Sequence, residues 1–400
     1  MTLSKHKTFK LLYCIALLIL IVNIDNVIGI ARFNVIERAL VLLFVIVGYL
    51  EGRHNAITIP FVGMITVTLF TALMSKNPSF SWSIYVNGTI QFLIIYLMLS
   101  TVPSEKTRTF LLKSFCFLPI VSVVLGTVYY FAFGRPLFYT EWASGMPRLQ
   151  GSLIPAFLAS LCITAVYSSF HAIYRIDRRY WYLLIVNGLI LVLTAARMAL
   201  FLTAIIAFVT IFFGVKKNAT LKVWSSIAMI FATLIFIAVF GEVLVARMEN
   251  SGLNGRDVLW NYMNALSEKY KSFGIGLGHQ YIMIPDKITN VTSTVAAHNE
   301  YIRLKLELGT VPFYIFISLY LGALVALINS KLCANRVELF VGFAAFMMNA
   351  FVANSFSSAY VFIMLYAFWV INLDKTQTGT TRKYSKRKLN ETNLQKISVS

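Results

Sequence analysis

The residues best suited to chemistry lie in a polar interval, residues 241–309, of a sequence that is otherwise almost continuously apolar. Within this interval His298 precedes a stretch with helical spacing that ends at Leu308. An imidazole has an ordinary pKa of about 6.5 and can act as a general base. Glu300, Arg303 and Glu307 follow closely and could tune that pKa. A lone histidine is more often structural than catalytic, so the residue alone leaves both interpretations open.

Three arginines have the chemistry to bind a phosphate group, because a planar guanidinium forms paired hydrogen bonds to phosphate oxygens. Arg148 precedes a predicted helix in the segment 147–152, and Arg256 opens a predicted amphipathic helix over residues 256–269. Arg197 lies in a connection so short that its charge must sit at or just below a membrane interface. The alternative for Arg197 is a side chain that reaches up to the lipid headgroups.

The glycine-rich run Gly274-Ile275-Gly276-Leu277-Gly278 resembles a nucleotide-binding string only superficially. It lacks the preceding strand and the following helix that a phosphate-cradling loop requires. A tight bend that glycine permits is the simpler prediction.

The composition predicts the elements that must position these residues. Apolar residues make up 58% of the chain, charged residues 13%, and the mean hydropathy is +0.74, which excludes a soluble domain of ordinary composition. The fold class predicted is an all-α polytopic membrane protein with about twelve transmembrane helices. The first span begins at Leu11 and is expected to be uncleaved, and the others lie near 33–50, 56–74, 84–101, 115–133, 152–172, 182–196, 198–215, 223–240, 310–330, 339–356 and 358–373.

The basic residues predict the orientation of these spans. Most of them fall in the loops that share a side with the two termini, so both termini are expected in the cytoplasm and the long loop outside. The predicted organisation is transmembrane helices 1–9 over residues 1–240, the loop over 241–309, transmembrane helices 10–12 over 310–373 and a basic tail over 374–400.

The net charge of +19 is explained by this positive-inside pattern, so nucleic acid is not expected as a partner. The basic tail is expected to bind anionic membrane lipid electrostatically. The four cysteines show no disulfide or metal-site spacing.

Several short motifs occur together in an order typical of one family. They are Arg-Leu-x-Gly at 148–151, the arginine between two spans at Arg197, Gly-Arg-x-x-x-Trp at 255–260, Phe-Gly-x-Gly-x-Gly at 273–278, and His-Asn-x-Tyr followed by Glu-x-Gly at 298–309. In this order and spacing the chain resembles the O-antigen ligase and polymerase family. The resemblance implies a membrane glycosyltransferase of the GT-C type with a large periplasmic catalytic loop that contains short helices. It also implies a bacterial inner membrane protein.

The resemblance further implies roles for individual residues. His298 matches the histidine that activates the acceptor hydroxyl, and Arg197 and Arg256 match arginines that bind the donor diphosphate; Arg148 is a weaker match. The donor implied is a glycan on undecaprenyl diphosphate. No cofactor is implied, and the sequence contains no Asp-x-Asp pair that indicates a metal, so a metal-independent reaction is expected.

The acceptor separates two related functions. An O-antigen ligase transfers the finished O-polysaccharide to lipid A–core in lipopolysaccharide biosynthesis, and the His-x10-Gly spacing from His298 to Gly309 favours it. A polymerase joins lipid-linked repeat units and shares the same motifs. A transporter of lipid-linked sugars is a third and more distant alternative, because the spans show few ionisable residues and no symmetry between halves.

Overall fold

The computed structural model describes residues 5–23, 33–55, 57–140, 145–214, 256–292 and 294–374, with Val223 and Ile227. Every predicted span that falls within these ranges overlaps a helix, although the span predicted at 339–356 extends past a helix that ends at Asn349. The span predicted at 223–240 and the basic tail at 375–400 lie outside the described residues, apart from the two residues just named. Two short antiparallel ribbons are the only strands in the described ranges, so the protein is all-α in class.

The first half of the chain forms the following elements: α1 (Lys5–Val22), α2 (Phe33–Glu51), β1 (Arg53–His54), α3 (Thr58–Met74), α4 (Trp82–Ser100), β2 (Thr101–Val102), α5 (Glu105–Phe115), α6 (Leu118–Phe133), β3 (Phe138–Thr140), β4 (Pro147–Leu149), α7 (Pro155–Arg175) and α8 (Trp181–Leu193).

The second half forms α9 (Arg197–Val209), which continues as a π-helix (Thr210–Gly214), then α10 (Arg256–Lys269), α11 (Asp286–Thr292), α12 (Glu300–Leu308), α13 (Thr310–Asn329), α14 (Arg336–Asn349) and α15 (Ala359–Ile371). Short 3-10 turns lie at Arg178–Tyr180, Gln280–Ile282 and Ser355–Ser357.

Length and apolar composition qualify four helices of the described chain as membrane spans: α4, α7, α9 with its π-helical extension, and α13. The pair α5 and α6 makes a fifth if its 45° bend lies within one span. The protein is therefore a helical membrane protein with four or five candidate spans. The total of about twelve spans and the GT-C type remain predictions.

Helix α7 occupies the centre of the bundle and packs against α5, α6, α8, α9 and α15. Within its apolar window, 78% of the residues are buried. Small side chains such as Ala159, Cys162 and Ala165 let neighbouring helices approach closely. One of its buried hydroxyls is satisfied within the helix, because Thr164 Oγ1 donates to the carbonyl of Ser160 at 3.2 Å. Close packing of this kind buries α7 among its five neighbouring helices.

Two ends of the bundle can be distinguished from the packing of α9 against α14. Asn335, just before α14, donates through Nδ2 to a carbonyl at the end of the π-helical extension of α9 at 3.2 Å. The two helices are thus antiparallel, and Arg197 lies at the same end as Asn349. The backbone N–H of Glu300 donates to the carbonyl of Ala350 at 2.8 Å, which brings the start of α12 to this end as well. We call it the loop end.

The opposite end is closed by two arginines. Arg108 donates through Nη1 to the carbonyl of Leu373 at 2.7 Å, and Arg175 donates through Nη1 to the carbonyl of Ile371 at 2.7 Å. The last carbonyls of a helix lack intrahelical partners and carry partial negative charge, so Arg175 stabilises the end of α15. Arg108 binds the segment that follows the helix.

Candidate functional site

The site is built around the start of α12. Asn299 caps this helix, because its Oδ1 accepts from the backbone N–H groups of Tyr301 at 3.0 Å and Ile302 at 3.2 Å. Such a cap satisfies orphan N–H groups of the first turn and defines the start of the helix. His298 is thereby held just outside α12, in the connection that enters it.

The backbone of His298 has φ 48°, one of three positive values among the described residues other than glycine. For a residue other than glycine such a backbone conformation costs about 1–3 kcal/mol, and it persists only where the surroundings impose it. The imidazole itself is half-buried. The surrounding segments therefore hold the backbone of His298 in this conformation.

Arg256 is the charged neighbour of this imidazole. Burial, and next the positive charge of Arg256, lower the pKa of His298 from 6.5 to about 4. His298 is therefore neutral near pH 7 and presents a nitrogen lone pair, which is the state that a general base requires.

Helix α10 brings Arg256 to this position. Its apolar face, with Leu259 and Met263, packs in a small core with Ile275 and Ala297. Trp260 Nε1 donates to the carbonyl of Ala297, the residue before His298, at 2.7 Å. The predicted amphipathic helix is thus observed. Gly255 of the same motif lies outside the described residues.

Glu300, Arg303 and Glu307 form a buried ion triad along one side of α12. Arg303 Nε lies 2.5 Å from Glu300 Oε2, and Arg303 Nη1 lies 3.3 Å from Glu307 Oε2. Burial works against the guanidinium charge, but the two carboxylates outweigh it and raise the pKa of Arg303. The sequence predicts that these residues tune His298, whereas in the structure they bind one another and the charge acting on His298 is that of Arg256.

The triad also holds two other segments in place. Glu300 Oε1 accepts from the backbone N–H of Phe356 at 2.9 Å, and Glu307 Oε1 accepts from the backbone N–H of Gln280 at 3.2 Å. Helix α12 therefore joins the entry to α15 and the glycine-rich loop to the segment that carries His298.

The glycine-rich loop is a tight bend, as predicted. Gly274, Gly276 and Gly278 all have positive φ, at 67°, 96° and 84°, which glycine adopts without a steric cost. A Cβ at Gly274 would lie 2.3 Å from the carbonyl oxygen of Glu307, so this position also requires the absence of a side chain.

His279 is a further residue of this loop, and the sequence analysis did not select it. Its Nε2 accepts from the backbone N–H of Ser81 at 2.7 Å, so Nδ1 carries the proton and faces the carbonyls of Gly276 and Leu277. The ring stacks on Phe80 with centroids 4.7 Å apart. Burial lowers the pKa of His279. The only signal in the sequence is its place directly after the glycine motif.

Arg148 binds the turn that leads to Arg197 at the loop end. Arg148 Nε donates to the carbonyl of Thr194 at 2.9 Å. Ala195 follows with φ 50°, and α9 then begins at Arg197, whose side chain is exposed. His298 itself has a positive φ, and Arg197 follows such a residue by two positions. Both belong to the loop end.

No group of three or more His, Cys, Asp or Glu side chains that could hold a metal ion occurs within the described ranges. The fold and the site together define a helical membrane protein with a structured polar loop at one end, where a neutral histidine lies near an arginine.

Residues 182–317 match the family model described as O-antigen ligase. They make up roughly a third of the chain and include Arg197, Arg256, His298 and the ion triad, while Arg148 falls before them. The resemblance to the O-antigen ligase and polymerase family is thereby confirmed through this domain. Neither a curated protein nor a solved structure matches the chain.

Proposed function

We propose that this protein is an O-antigen ligase that transfers O-polysaccharide from undecaprenyl diphosphate to lipid A–core during lipopolysaccharide biosynthesis. The acceptor hydroxyl oxygen attacks the anomeric carbon of the sugar attached to the diphosphate, and a new glycosidic bond forms. The bond from that carbon to the diphosphate oxygen breaks, and its electron pair leaves with undecaprenyl diphosphate. The hydroxyl proton passes to the imidazole of His298.

The observation that carries this proposal is the neutral His298, held on a strained backbone beside Arg256. A base must be unprotonated before it accepts a proton, and burial together with the charge of Arg256 keeps His298 in that form. A diphosphate bound at Arg256 would offset the guanidinium charge and raise the pKa of His298. Donor binding would therefore strengthen the base at the moment when it is needed.

The three arginines are proposed to bind the leaving group. Arg256 lies near His298, and at the same end of the bundle Arg148 binds the turn that leads to Arg197. Negative charge develops on the diphosphate as the glycosidic bond breaks, and charge-assisted hydrogen bonds of about 1.5–3 kcal/mol each stabilise it. This supplies the role of a metal, so we propose a reaction that needs none. Glu300, Arg303 and Glu307 support the site by holding its segments together.

The proposed location follows from the lipid substrates. Undecaprenyl chains are soluble only in the bilayer, which supports a membrane location. The positive-inside pattern of the basic residues supports a loop end at the periplasmic face of the inner membrane, with both termini in the cytoplasm. Membrane lipid, the lipid-linked donor and lipid A–core are then the partners.

A polymerase that joins lipid-linked repeat units is the alternative, because the same family includes both activities and the same site residues serve both. The two differ only in the acceptor. A test must therefore vary the acceptor while the donor stays the same.

The test uses the purified full-length protein reconstituted in vesicles with a lipid-linked repeat unit, with and without lipid A–core, and resolves the products on a gel. A product that requires lipid A–core supports the ligase, whereas a ladder from the repeat unit alone replaces it with the polymerase. A chelator arm tests metal independence. His54→Ala is the matched control for His298→Ala, because His54 is exposed and lies near the opposite end. Equal activity of the two variants would contradict the mechanism.

A further inference from the structure

The hairpin of β3 and β4 carries a feature that neither the family motifs nor the proposed reaction uses. In its antiparallel register Tyr139 pairs with Arg148, and Phe138 pairs with Leu149. Paired residues project from the same face of a ribbon, and successive residues project from opposite faces. Tyr139 therefore shares a face with Arg148, and Phe138 lies on the other face with Leu149, which is buried.

Tyr139 is held beside the turn that carries Arg197. The pairing places the Cβ atoms of Tyr139 and Arg148 about 4.5–5.5 Å apart. Arg148 in turn donates to the carbonyl of Thr194, three residues before Arg197. Tyr139 is 44% exposed and lies beside the turn that leads to Arg197.

An exposed tyrosine beside arginines has a specific use where the ligand is a sugar joined to a diphosphate. Tyrosine offers a flat apolar face and a polar tip at a low cost in side-chain entropy. A pyranose likewise has an apolar face of C–H groups and polar edges. In a glycosyl diphosphate the first sugar is bonded directly to the phosphate, so a residue next to the phosphate-binding guanidinium groups faces that sugar.

We propose that Tyr139 forms a sugar-binding subsite, in which its ring stacks on the first sugar of the donor while Arg148 and Arg197 bind the diphosphate. This inference rests on the proposed function, because it takes the arginines to be the diphosphate site. It adds a specificity-determining residue that lies outside the matched segment 182–317. The subsite recognises the class of pyranose next to the diphosphate. It does not bind the lipid chain, which lies in the bilayer.

A different explanation of an exposed tyrosine in a membrane protein is an anchor at the headgroup level. That role does not depend on which face of the hairpin the ring occupies. Phe138 has almost the same exposure, 43%, on the opposite face of the same strand. It is therefore a matched control for Tyr139.

The test compares Tyr139→Ala, Tyr139→Leu, Tyr139→Phe and Phe138→Ala in reconstituted vesicles. Two quantities are measured for each: the KM and kcat for a lipid-linked glycan, and the Kd for undecaprenyl diphosphate without a sugar. Tyr139→Leu keeps most of the side-chain volume and serves if the alanine variant does not fold.

We expect the alanine and leucine variants of Tyr139 to raise the KM for the lipid-linked glycan about 3- to 10-fold, the range given by the loss of one ring stacking contact. In these two variants the Kd for undecaprenyl diphosphate is expected to stay unchanged. Tyr139→Phe and Phe138→Ala are both expected to keep the wild-type KM and Kd. Equal effects of the Tyr139 and Phe138 variants, or a weaker affinity for the sugar-free lipid, overturn the subsite. If the wild type itself neither binds nor transfers the lipid-linked glycan, the proposed function fails first, and the subsite fails with it.

Discussion

His279 and His298 belong to the same loop, and burial lowers the pKa of both imidazoles, yet they are held in different ways. His279 is fully buried, its Nε2 accepts a backbone N–H, its Nδ1 faces two carbonyls and its ring stacks on Phe80. His298 is half-buried, has a strained backbone and lies near the charge of Arg256.

The difference shows what distinguishes a structural histidine from a reactive one in the same stretch of chain. Both nitrogens of His279 face backbone groups, so a substrate proton has nowhere to bind. The position of His298 is imposed at a cost in backbone energy, which is typical of functional sites. A perturbed pKa is common to both and does not separate them.

The strongest test of this comparison is His298→Ala. We expect transfer to fall about 10²- to 10⁴-fold, the usual contribution of a general base. The midpoint of thermal unfolding should stay near the wild-type value, because the ring is only half-buried. A His298→Gly variant should be equally inactive and at least as stable, since glycine relieves the positive φ. Retained activity in either variant would assign the base to another residue.

The next largest effect is expected from the ion triad that joins the two histidine segments. In Arg303→Met two carboxylates remain buried without their partner, which costs about 3–5 kcal/mol. Lys305→Met is the control on the same helix, because the Lys305 Nζ atom lies 3.7 Å from an oxygen of the exposed Glu268, and an exposed pair contributes about 1 kcal/mol or less. Thermal unfolding in detergent gives both values. Similar midpoints of thermal unfolding for the two variants would show that the triad does not stabilise the protein in this way.

A smaller loss of stability is expected for His279→Phe. The substitution keeps an aromatic ring against Phe80 but leaves the backbone N–H of Ser81 without its acceptor, which costs about 1–3 kcal/mol. Transfer per folded molecule should stay within a few-fold of wild type, in contrast to His298→Ala. A loss of transfer as large as that of His298→Ala, in folded protein, would show that His279 takes part in the reaction.

The stability that His279 contributes should also depend on pH. Its native pKa is lowered, so the unfolded state binds the proton more readily, and the contribution is full above the unfolded pKa of about 6.5. It is lost as the pH falls from there through the native pKa. The stability difference between wild type and His279→Phe should therefore shrink between pH 7.5 and pH 5. A constant difference would mean that His279 does not titrate in this way.

The smallest effect is expected on the pH profile of Arg256→Gln. Burial is the larger cause of the low pKa of His298, and Arg256 is the second. Removing the guanidinium charge should therefore raise the midpoint pH of the acid limb of kcat/KM from about 4. The new midpoint should stay below 6.5, because burial still lowers the pKa of His298. The position of the limb, and not the rate, is the measurement, because this variant is also expected to bind the donor more weakly. An acid limb at the same pH as in the wild type would show that the charge of Arg256 does not affect the pKa of His298.

Much of the fold is set by neighbours along the chain and was predictable. Apolar runs long enough to cross a bilayer become helices because a helix satisfies its own backbone groups. The amphipathic helix at Arg256 follows from apolar residues at helical spacing, and the bend at Gly274 to Gly278 follows from residues that accept a positive φ.

The tertiary structure decided which residues contact one another across long distances in the sequence. Hydropathy alone did not predict α5, an amphipathic helix that precedes the predicted span at 115–133 and whose Arg108 reaches the carbonyl of Leu373. His279 owes its role to Ser81, which is 198 positions away in the sequence. No local pattern encodes such a pair, because it forms only when α4 packs beside the loop.

The ion triad shows where the two kinds of information meet. The spacing of Glu300, Arg303 and Glu307 on one helix makes contact among them possible from sequence alone. Whether the carboxylates face His298 or Arg303 depends on burial, since a buried charge must find its counter-charge at close range. The sequence by itself determined the membrane class, the helices and the residues available for chemistry. Only the packing of distant segments decided which histidine is held as structure and which is held near an arginine.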